Sequence, residues 1–277
     1  MNRQLGLLVL TITTSLATWL PHGLKAAAPA TQARLTRVKN SVQLEHSYNA
    51  ARWASVSDIV NEGTVVHTGN ASRGELTFSD ETVVRLAANS AFDFNHGTRG
   101  LNLRDGAGLI QATKEATGAT VHAGRVAALV AGTTAMIEYH GGIYKFLVLE
   151  GTARVYRPGH LGDSVLVRPG QMVFGNSDAA VSDPVDVDIE RFMKTSCLIT
   201  DFPPLRSERS IVAEDQKQRR EKTKKTLIDT NLVIFGGGTQ VSLVGQAQTD
   251  TANRTTGALV MPRRAPNLSP EAVPVSQ

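Results

Sequence analysis

The sequence predicts an all-β core of short strands, built as a β-solenoid, roll or sandwich and followed by a short helix and a small β-hairpin. Short segments of alternating polar and apolar side chains recur about every 8–12 residues over residues 33–175, which is the spacing of all-β folds. Most of the glycines in this stretch fall between these segments, where turns are expected. No long amphipathic helical pattern interrupts the series, so a parallel α/β sheet is not expected.

Length and composition are those of a globular chain. The 277 residues suffice for one or two domains, at about 150 residues per domain. Hydrophobic residues make up 41% of the chain but aromatic residues only 5%, so Val, Leu, Ile and Ala must form most of the core. Cys197 is the single cysteine. This excludes an internal disulfide and any zinc or iron–sulfur site built from cysteines.

Residues 1–30 have the order of charge, apolar stretch and small residues that is typical of a secretory signal peptide. Arg3 precedes an apolar stretch over residues 5–20, which several threonines interrupt and Pro21 ends. This favours a cleaved signal over an uncleaved N-terminal anchor. Cleavage is expected after Ala30, with a cut after Ala26 as the alternative. We therefore expect an exported bacterial protein, periplasmic or extracellular, with no stable membrane span after cleavage.

Signal removal also changes the charge balance. The formal net charge of +4 includes Arg3 and Lys25, and without them 27 basic and 25 acidic residues leave +2. So small an excess, on a chain expected to be exported, predicts no nucleic-acid partner.

The predicted strands follow one another in an all-β domain over residues 31–182. Leu76 and Phe78 share one face of a strand over residues 73–78, and residues 82–86 return after a turn at 79–81. The further strands are predicted over residues 91–94, 101–103, 109–111, 126–130, 133–139, 143–150, 152–156, 164–167 and 171–174.

The sequence changes character after residue 182. Ile189, Phe192, Met193, Ser196 and Cys197 have the spacing of one face of a short helix. Asp186 or Asp188 is expected to cap its start. Residues 206–225 are highly charged and predict a solvated helix or linker. Residues 232–235 and 241–244 flank a glycine-rich turn and predict a hairpin, which completes a region over residues 183–245. Residues 246–277 are rich in Thr, Ala, Pro and Ser and predict a disordered tail.

Catalytic and cofactor motifs are absent from the sequence. It holds no metalloprotease, nucleophile-elbow or phosphate-loop pattern, so no enzyme and no cofactor are predicted. Scattered histidines, of which His67 and His122 have similar neighbours, leave a cupin-like metal-dependent enzyme as a weaker alternative. The acidic residues near 183–190 are interpreted as helix caps rather than calcium ligands, and Cys197 as a core residue rather than a nucleophile.

An ordered series of motifs resembles the FecR domain family over residues 60–176. The series consists of Glu62-Gly63-Thr64-Val65-Val66-His67-Thr68-Gly69, Ser72-Arg73-Gly74-Glu75-Leu76-Thr77-Phe78-Ser79-Asp80, Val84-Arg85-Leu86-Ala87, Ala131-Gly132-Thr133, Val148-Leu149-Glu150-Gly151 and Val167-Arg168-Pro169-Gly170-Gln171. The resemblance implies an all-β extracytoplasmic domain. In the best-known members it also implies relay of an outer-membrane receptor signal to a sigma factor.

The sequence departs from those regulators at its N-terminus, because a signal-like segment stands where they carry a cytoplasmic segment and a membrane helix. It is more similar to stand-alone exported FecR-domain proteins. The resemblance implies no catalytic and no metal-binding residue. The residues expected to determine the fold are Gly63, Thr68, Gly69, Ser72, Arg73, Asp80, Gly132, Thr133, Glu150, Gly151, Pro169, Gly170 and Gln171.

From these observations we expect a non-enzymatic binding module of the cell envelope that acts in FecR-type extracytoplasmic signalling. Its expected partner is a protein or a cell-envelope polymer, recognised by the corners between strands or by an unpaired strand edge. The alternative is an envelope structural or polysaccharide-binding protein.

Overall fold

The computed structural model describes residues 32–46, 49–95, 97, 99–114, 118–221, 227–229 and 242–243. The predicted all-β core is confirmed, and it consists of two sheets packed face to face. The strands of sheet 1, given in their spatial order, are β4 (Ile59–Asn61), β1 (Gln32–Lys39), β6 (Arg73–Phe78), β7 (Val83–Leu86), β9 (Gly100–Gln111), β12 (Thr134–His140), β13 (Ile143–Glu150), β16 (Gln171–Asn176) and β17 (Val185–Asp186).

Sheet 2 has the same number of strands and shares β9 with sheet 1. Its spatial order is β3 (Asn49–Trp53), β2 (Val42–His46), β5 (Thr64–Thr68), β8 (Ala91–Asn95), β9, β10 (Ala119–Ala123), β11 (Val126–Val130), β14 (Ala153–Tyr156) and β15 (Ser164–Val167). The pairing of β9 with β10 is parallel, and the other pairings in the two sheets are antiparallel.

Strand β9 passes from one sheet into the other at Gly106. Residues 100–105 pair with β8, whereas residues 106–111 pair with β12. Gly106 has a φ of +89°, and a Cβ placed there would lie 2.3 Å from Oγ of Ser90. A larger residue would therefore be strained in conformation and would also collide with its neighbour. Glycine at this position allows the long strand to join the two layers.

Successive hairpins after β9 alternate between the two sheets. Hairpin β10–β11 lies in sheet 2, β12–β13 in sheet 1, β14–β15 in sheet 2 and β16–β17 in sheet 1. Each hairpin pairs with the preceding one of its own sheet, β11 with β14 and β13 with β16. The core is thus a two-layer sandwich, which is one of the three arrangements that the sequence left open.

Two apolar cores lie on the two faces of sheet 1. The first fills the space between the sheets, where Phe78 of sheet 1 packs edge to face on Phe94 of sheet 2 with ring centroids 4.9 Å apart. The second lies on the opposite face of sheet 1, where Leu109 and Leu147 pack with Phe192 and Ile211 of the C-terminal region. Burial of apolar side chains on both faces makes sheet 1 the central layer of the molecule.

Three helices form the third layer: α1 (Ile189–Thr195), α2 (Cys197–Thr200) and α3 (Glu208–Glu221). Asp188 caps α1 as predicted, because its carboxylate accepts a hydrogen bond from the Arg191 amide at 2.9 Å. The apolar face predicted for a single helix up to Cys197 is divided between two helices. Ser196 has an extended backbone, its amide bonds the Phe192 carbonyl, and its own carbonyl accepts from the amides of residues 199 and 200. Ser196 therefore ends α1 and begins α2.

The charged segment over residues 206–225 contains α3, which docks through a few buried side chains. Ile211 is buried in the second core. The buried Gln218 amide donates to the Val187 carbonyl at 2.7 Å, and its oxygen accepts from the Ile189 amide at 3.4 Å. These contacts tie α3 to the start of α1. In the described part of the chain, no helix is long and apolar enough to cross a membrane.

The last described strands are β18 (Ile228–Asp229) and β19 (Ser242–Leu243), which pair antiparallel. Residues 242–243 belong to the second strand of the predicted hairpin, whereas its first strand over residues 232–235 lies outside the described residues. The signal segment at 1–30 and the tail at 246–277 lie outside them as well. The division into regions at 30, 182 and 245 stays a prediction.

Candidate functional site

Most of the residues expected to determine the fold lie where the chain crosses between the two sheets. Thr68 and Gly69 lead from β5 to β6, Gly132 and Thr133 lead from β11 to β12, and Gly151 leads from β13 to β14. Pro169 and Gly170 similarly lead from β15 to β16. We call these connections the layer corners.

The first layer corner is held by two short polar side chains. The Thr68 hydroxyl donates to the Ala87 carbonyl at 2.5 Å and accepts from the Ser90 amide at 2.9 Å. Oγ of Ser72 accepts from the Ser41 amide at 3.0 Å. The Ser41 carbonyl in turn accepts a hydrogen bond from the Gly69 amide at 2.8 Å. Three separate connections of the chain are joined in this way.

The second layer corner repeats this arrangement. The fully buried Thr133 donates from its hydroxyl to the Thr152 carbonyl at 2.8 Å, and its own carbonyl accepts from the Ala112 amide at 2.9 Å. Gly151 has a φ of +79°, and a Cβ added there would lie 2.4 Å from the Gly132 carbonyl oxygen. Because that oxygen belongs to the backbone, a side chain at residue 151 would force the two corners apart.

The remaining residues of the set make local contacts with the backbone or with neighbouring side chains. Asp80 accepts from the Thr82 amide at 3.0 Å, and Glu150 accepts from the Thr134 hydroxyl at 2.9 Å. Gln171 accepts from the Arg168 amide at 3.1 Å across the Pro169–Gly170 turn. Gly63 lies in the turn between β4 and β5.

Arg73 links this set to the helical layer. Its Nη1 donates to the Ser72 carbonyl at 2.7 Å, and its Nε lies 3.1 Å from Oδ2 of Asp201, an ion pair whose angle falls outside hydrogen-bonding geometry. Gly170 packs against Gln218 of α3. The polar side chains of the set are thus directed mainly at the protein's own backbone and neighbours. Their importance for folding stays a prediction.

The histidines make separate, mostly exposed contacts. His67 lies 2.9 Å from Glu45 and His140 lies 2.7 Å from Asp105, while partial burial lowers the pKa of His122. Strands β8 and β9 lie between the strands that carry His67 and His122. Among the described residues, no three or more His, Cys, Asp or Glu side chains group closely enough to hold a metal ion. His96 lies outside the described residues.

Cys197 and the basic residues near the end of α3, Lys217, Arg219 and Arg220, belong to the helical layer. Cys197 is partly buried against the second core, and burial raises the pKa of its thiol, which disfavours the reactive thiolate. Of these basic residues, Arg219 pairs with Glu190 at 2.5 Å and with Asp215 at 2.9 Å. Lys222, Lys224 and Lys225 lie outside the described residues.

In the described part of the chain, each sheet ends on both sides in a strand that pairs with one neighbour only. At one end β3 is the edge of sheet 2 and β4 the edge of sheet 1, and these strands are joined by a single loop. Trp53, Val56 and Ile59 on this β3–β4 segment are 64%, 56% and 39% exposed. We call these three residues the edge patch. Exposed apolar side chains beside unpaired strand edges are typical of sites that accept a partner.

The loop between β3 and β4, which carries Val56 of the edge patch, is held in shape by Asp58. Its carboxylate accepts from Arg52 at 2.7 Å and from the Ser55 amide at 2.9 Å. These two hydrogen bonds, that from Arg52 first, lower the pKa of Asp58. The sequence predicted an unpaired strand edge in general but did not identify these residues. The sequence signal that could have located the edge patch was Trp53, one of only two tryptophans in the chain.

The comparisons with known proteins agree with the motif series. Residues 64–154, from the start of β5 into β14, match the family model described as FecR protein. The predicted resemblance to the FecR domain family is therefore confirmed over residues 64–154, which lie within the predicted range of 60–176. None of the curated proteins matches the sequence.

Two crystal structures of a proposed anti-sigma factor from Parabacteroides distasonis share a general likeness with the chain. One has a TM-score of 0.40 and 12% identity and covers 47% of this chain, which in turn spans 64% of that protein. The other has a TM-score of 0.40 and 11% identity over 60% of this chain and 96% of its own length.

Proposed function

We propose that this chain is an exported, non-enzymatic binding module of the bacterial cell envelope that acts in FecR-type signalling. It recognises a partner protein through the edge patch. The FecR domain supports a regulatory role of this class. The observation that carries the proposal is the exposure of Trp53 and Val56 beside the edge strands β3 and β4.

The chemistry of the edge patch suits a protein partner. An edge strand offers backbone N–H and C=O groups to an added strand, and the apolar side chains next to it supply area for burial. The hydrogen bonds of Asp58 hold the β3–β4 loop in a defined shape, so a partner would lose little affinity to ordering of this loop.

Site-specific photo-cross-linking in the native host tests the proposed surface. A photoreactive phenylalanine analogue replaces Val56 in the tagged full-length protein, and mass spectrometry identifies the products. The matched control carries the analogue at Leu161, which is fully exposed in the loop between β14 and β15. We expect one reproducible protein product from position 56, absent from position 161 and lost when Trp53→Ser is added.

Two outcomes would contradict the proposed surface. The same products from both positions would show that the edge patch has no specific partner. Recovery of wall or matrix polymer alone from position 56 would favour the structural or polysaccharide-binding alternative.

Export has its own test, so the two parts of the proposal can fail separately. We expect N-terminal sequencing of the protein from envelope fractions to begin at Thr31, after cleavage at Ala30. A cytosolic protein that retains residues 1–30 would overturn export but would leave the partner experiment valid.

A further inference from the structure

Both sheets end on one side of the sandwich at the edge patch. Counted from β9, which the sheets share, β4 is the fourth strand of sheet 1 and β3 is the fourth strand of sheet 2. Neighbouring strands lie about 4.8 Å apart, so each edge lies about 19 Å from β9. The two edge strands and the loop between them therefore form one surface, which we call the end face.

Strand β4 is the less protected of the two edges. Edge strands commonly carry charged residues, prolines or β-bulges, which prevent pairing with another chain. Strand β3 contains Arg52, and its pairing with β2 shifts register between residues 44 and 46. Strand β4 consists of Ile59, Val60 and Asn61, with no charge and no proline, and its pairing with β1 has no register shift. An added strand therefore fits β4 better than β3.

The backbone of β4 is suited to pairing with a copy of itself. The Leu35 amide of β1 donates to the Asp58 carbonyl at 2.9 Å. Because antiparallel strands bond at every second residue, Val60 is the next residue to bond β1, and Ile59 and Asn61 direct their N–H and C=O groups away from it. A two-fold axis at Val60 would place Ile59 of each copy opposite Asn61 of the other. Both outward-facing residues would then exchange hydrogen bonds across the axis.

Two exposed charges lie near the two ends of β4. Arg34 lies beside Ile59 in the sheet, and its Nη1 donates to the Ser57 carbonyl at 3.2 Å. Glu62 directly follows the strand and is exposed. Among the described residues, neither Arg34 nor Glu62 has an ion-pair partner. The residues that adjoin β1, β2 and β3 outside the described ranges have uncharged side chains: Thr31, Ser47 and Tyr48.

The same two-fold axis brings these opposite charges together. It would place Glu62 of one copy opposite Asp58 of the other, one residue from the Ser57 carbonyl on which Arg34 lies. The charge of Asp58 is already balanced by Arg52, at 2.7 Å. The charge of Arg34 is then left to pair with the second copy's carboxylate, and the contact occurs twice in a two-fold dimer.

We propose that the edge patch joins two copies of this chain in a two-fold dimer, in which β4 of one copy pairs antiparallel with β4 of the other. This inference rests on the proposed function, because it identifies the partner of the edge patch. The short pairing supplies about four backbone hydrogen bonds. Burial of the exposed Trp53, Val56 and Ile59 supplies the apolar part of the interface.

Sedimentation equilibrium of the purified full-length chain tests the dimer. We expect twice the mass of the chain at about 50 µM protein, as for an interface of modest size. Arg34→Glu and Glu62→Arg should each weaken dimerisation at least about tenfold, because like charges would then meet twice. An equimolar mixture of the two variants should regain the dimer, since opposite charges would again meet at both contacts.

Two charge reversals on α3 serve as matched controls. Lys217→Glu and Glu221→Arg alter exposed residues of the helical layer, and neither should change the mass. A chain that stays monomeric up to about 200 µM would overturn the dimer. So would single reversals at residues 34 and 62 without effect, or a mixture of those variants that stays monomeric.

Photo-cross-linking from position 56 separates this inference from the proposed function. Capture of a second copy of the chain would support both. Capture of a different protein by a chain that is monomeric in solution would overturn the dimer and leave the proposed function standing. The same products from positions 56 and 161 would overturn both.

Discussion

Arg85 of β7 and Glu75 of β6 form a nearly buried ion pair, with Nε of Arg85 2.9 Å from Oε2 of Glu75. The same guanidinium donates to the carbonyls of Leu198 at 3.1 Å and Pro203 at 2.6 Å. It also lies 4.8 Å from the centre of the Phe202 ring. One side chain of sheet 1 thereby holds the helical layer at the end of α2, where the backbone would otherwise bury unpaired carbonyls.

Replacement of Arg85 should therefore loosen the helical layer. We expect Arg85→Met to lower the free energy of unfolding by about 3–5 kcal/mol, because buried Glu75 would keep only the more distant and half-exposed Arg37, at 3.7 Å. The carbonyls of Leu198 and Pro203 would also lose their donor. Urea denaturation measures this loss. Hydrogen exchange should show the largest loss of protection in α2 and α3, whose packing on sheet 1 the guanidinium supports.

Arg125→Met is the matched control for that prediction. Arg125 also pairs with a carboxylate, that of Asp178 at 3.1 Å, but the two side chains are 81% and 66% exposed. Its loss should cost less than about 1 kcal/mol. Equal effects of the two substitutions would show that Arg85 has no special role in holding the helices.

A second buried pair joins Glu138 of β12 to Lys145 of β13, directly opposite each other in the sheet. Their side chains are only 2% and 0% exposed. Lys145→Met alone should destabilise the protein by about 3–5 kcal/mol, because a carboxylate would stay buried beside an apolar side chain. The double variant Glu138→Leu/Lys145→Met should lose less than the sum of the single losses. A double-mutant cycle with additive effects would contradict a coupled pair.

Gly151 and Gly159 provide a matched test of the layer corners. Both have positive φ, +79° and +81°, but a Cβ at Gly159 would meet nothing within 4 Å. Gly159→Ala should cost about 1–2 kcal/mol from backbone strain alone. Gly151→Ala should cost at least about 2 kcal/mol more, because its Cβ would also collide with the Gly132 carbonyl. Thermal unfolding of the two variants measures the difference, and equal losses would remove the argument for a close contact at this corner.

His122 predicts a pH dependence of stability. Partial burial lowers its pKa from the usual 6.5, so the unfolded chain binds a proton at this residue more readily than the folded protein. The His122 contribution therefore disfavours folding increasingly as the pH falls through 6.5 towards the lower folded pKa, and it is absent well above 6.5. Between pH 7.5 and 5.5, His122→Gln should lose less stability than the unaltered protein. Parallel urea curves at the two pH values check this, and equal losses would contradict it.

Local patterns in the sequence were enough for most strands after residue 72 and for the corners. They did not identify β1–β5 or β10, they divided β9 into two short strands, and they did not give the helix boundary. Alternation over residues 73–78 predicted β6, because the side-chain period of a strand is read within the strand itself. The glycines at 132, 151 and 170 marked turns for the same local reason. The helical spacing that ends at Cys197 concealed the break at Ser196, where backbone hydrogen bonds end one helix and begin the next.

The sequence predicted the type of the candidate surface but not the residues that form it. An unpaired strand edge was expected, yet its location at β3 and β4 depends on which strands pair elsewhere.

The sequence by itself determined the all-β class, the FecR resemblance, the capped start of α1 and the positions of most turns, because each depends on residues close together in the chain. Only the tertiary structure decided that β9 serves both sheets, that α3 docks through Ile211 and Gln218, and that Arg85 reaches Leu198 across more than one hundred residues. The physical reason is that pairing and burial between distant segments depend on the packing of the whole chain, and no local pattern specifies them.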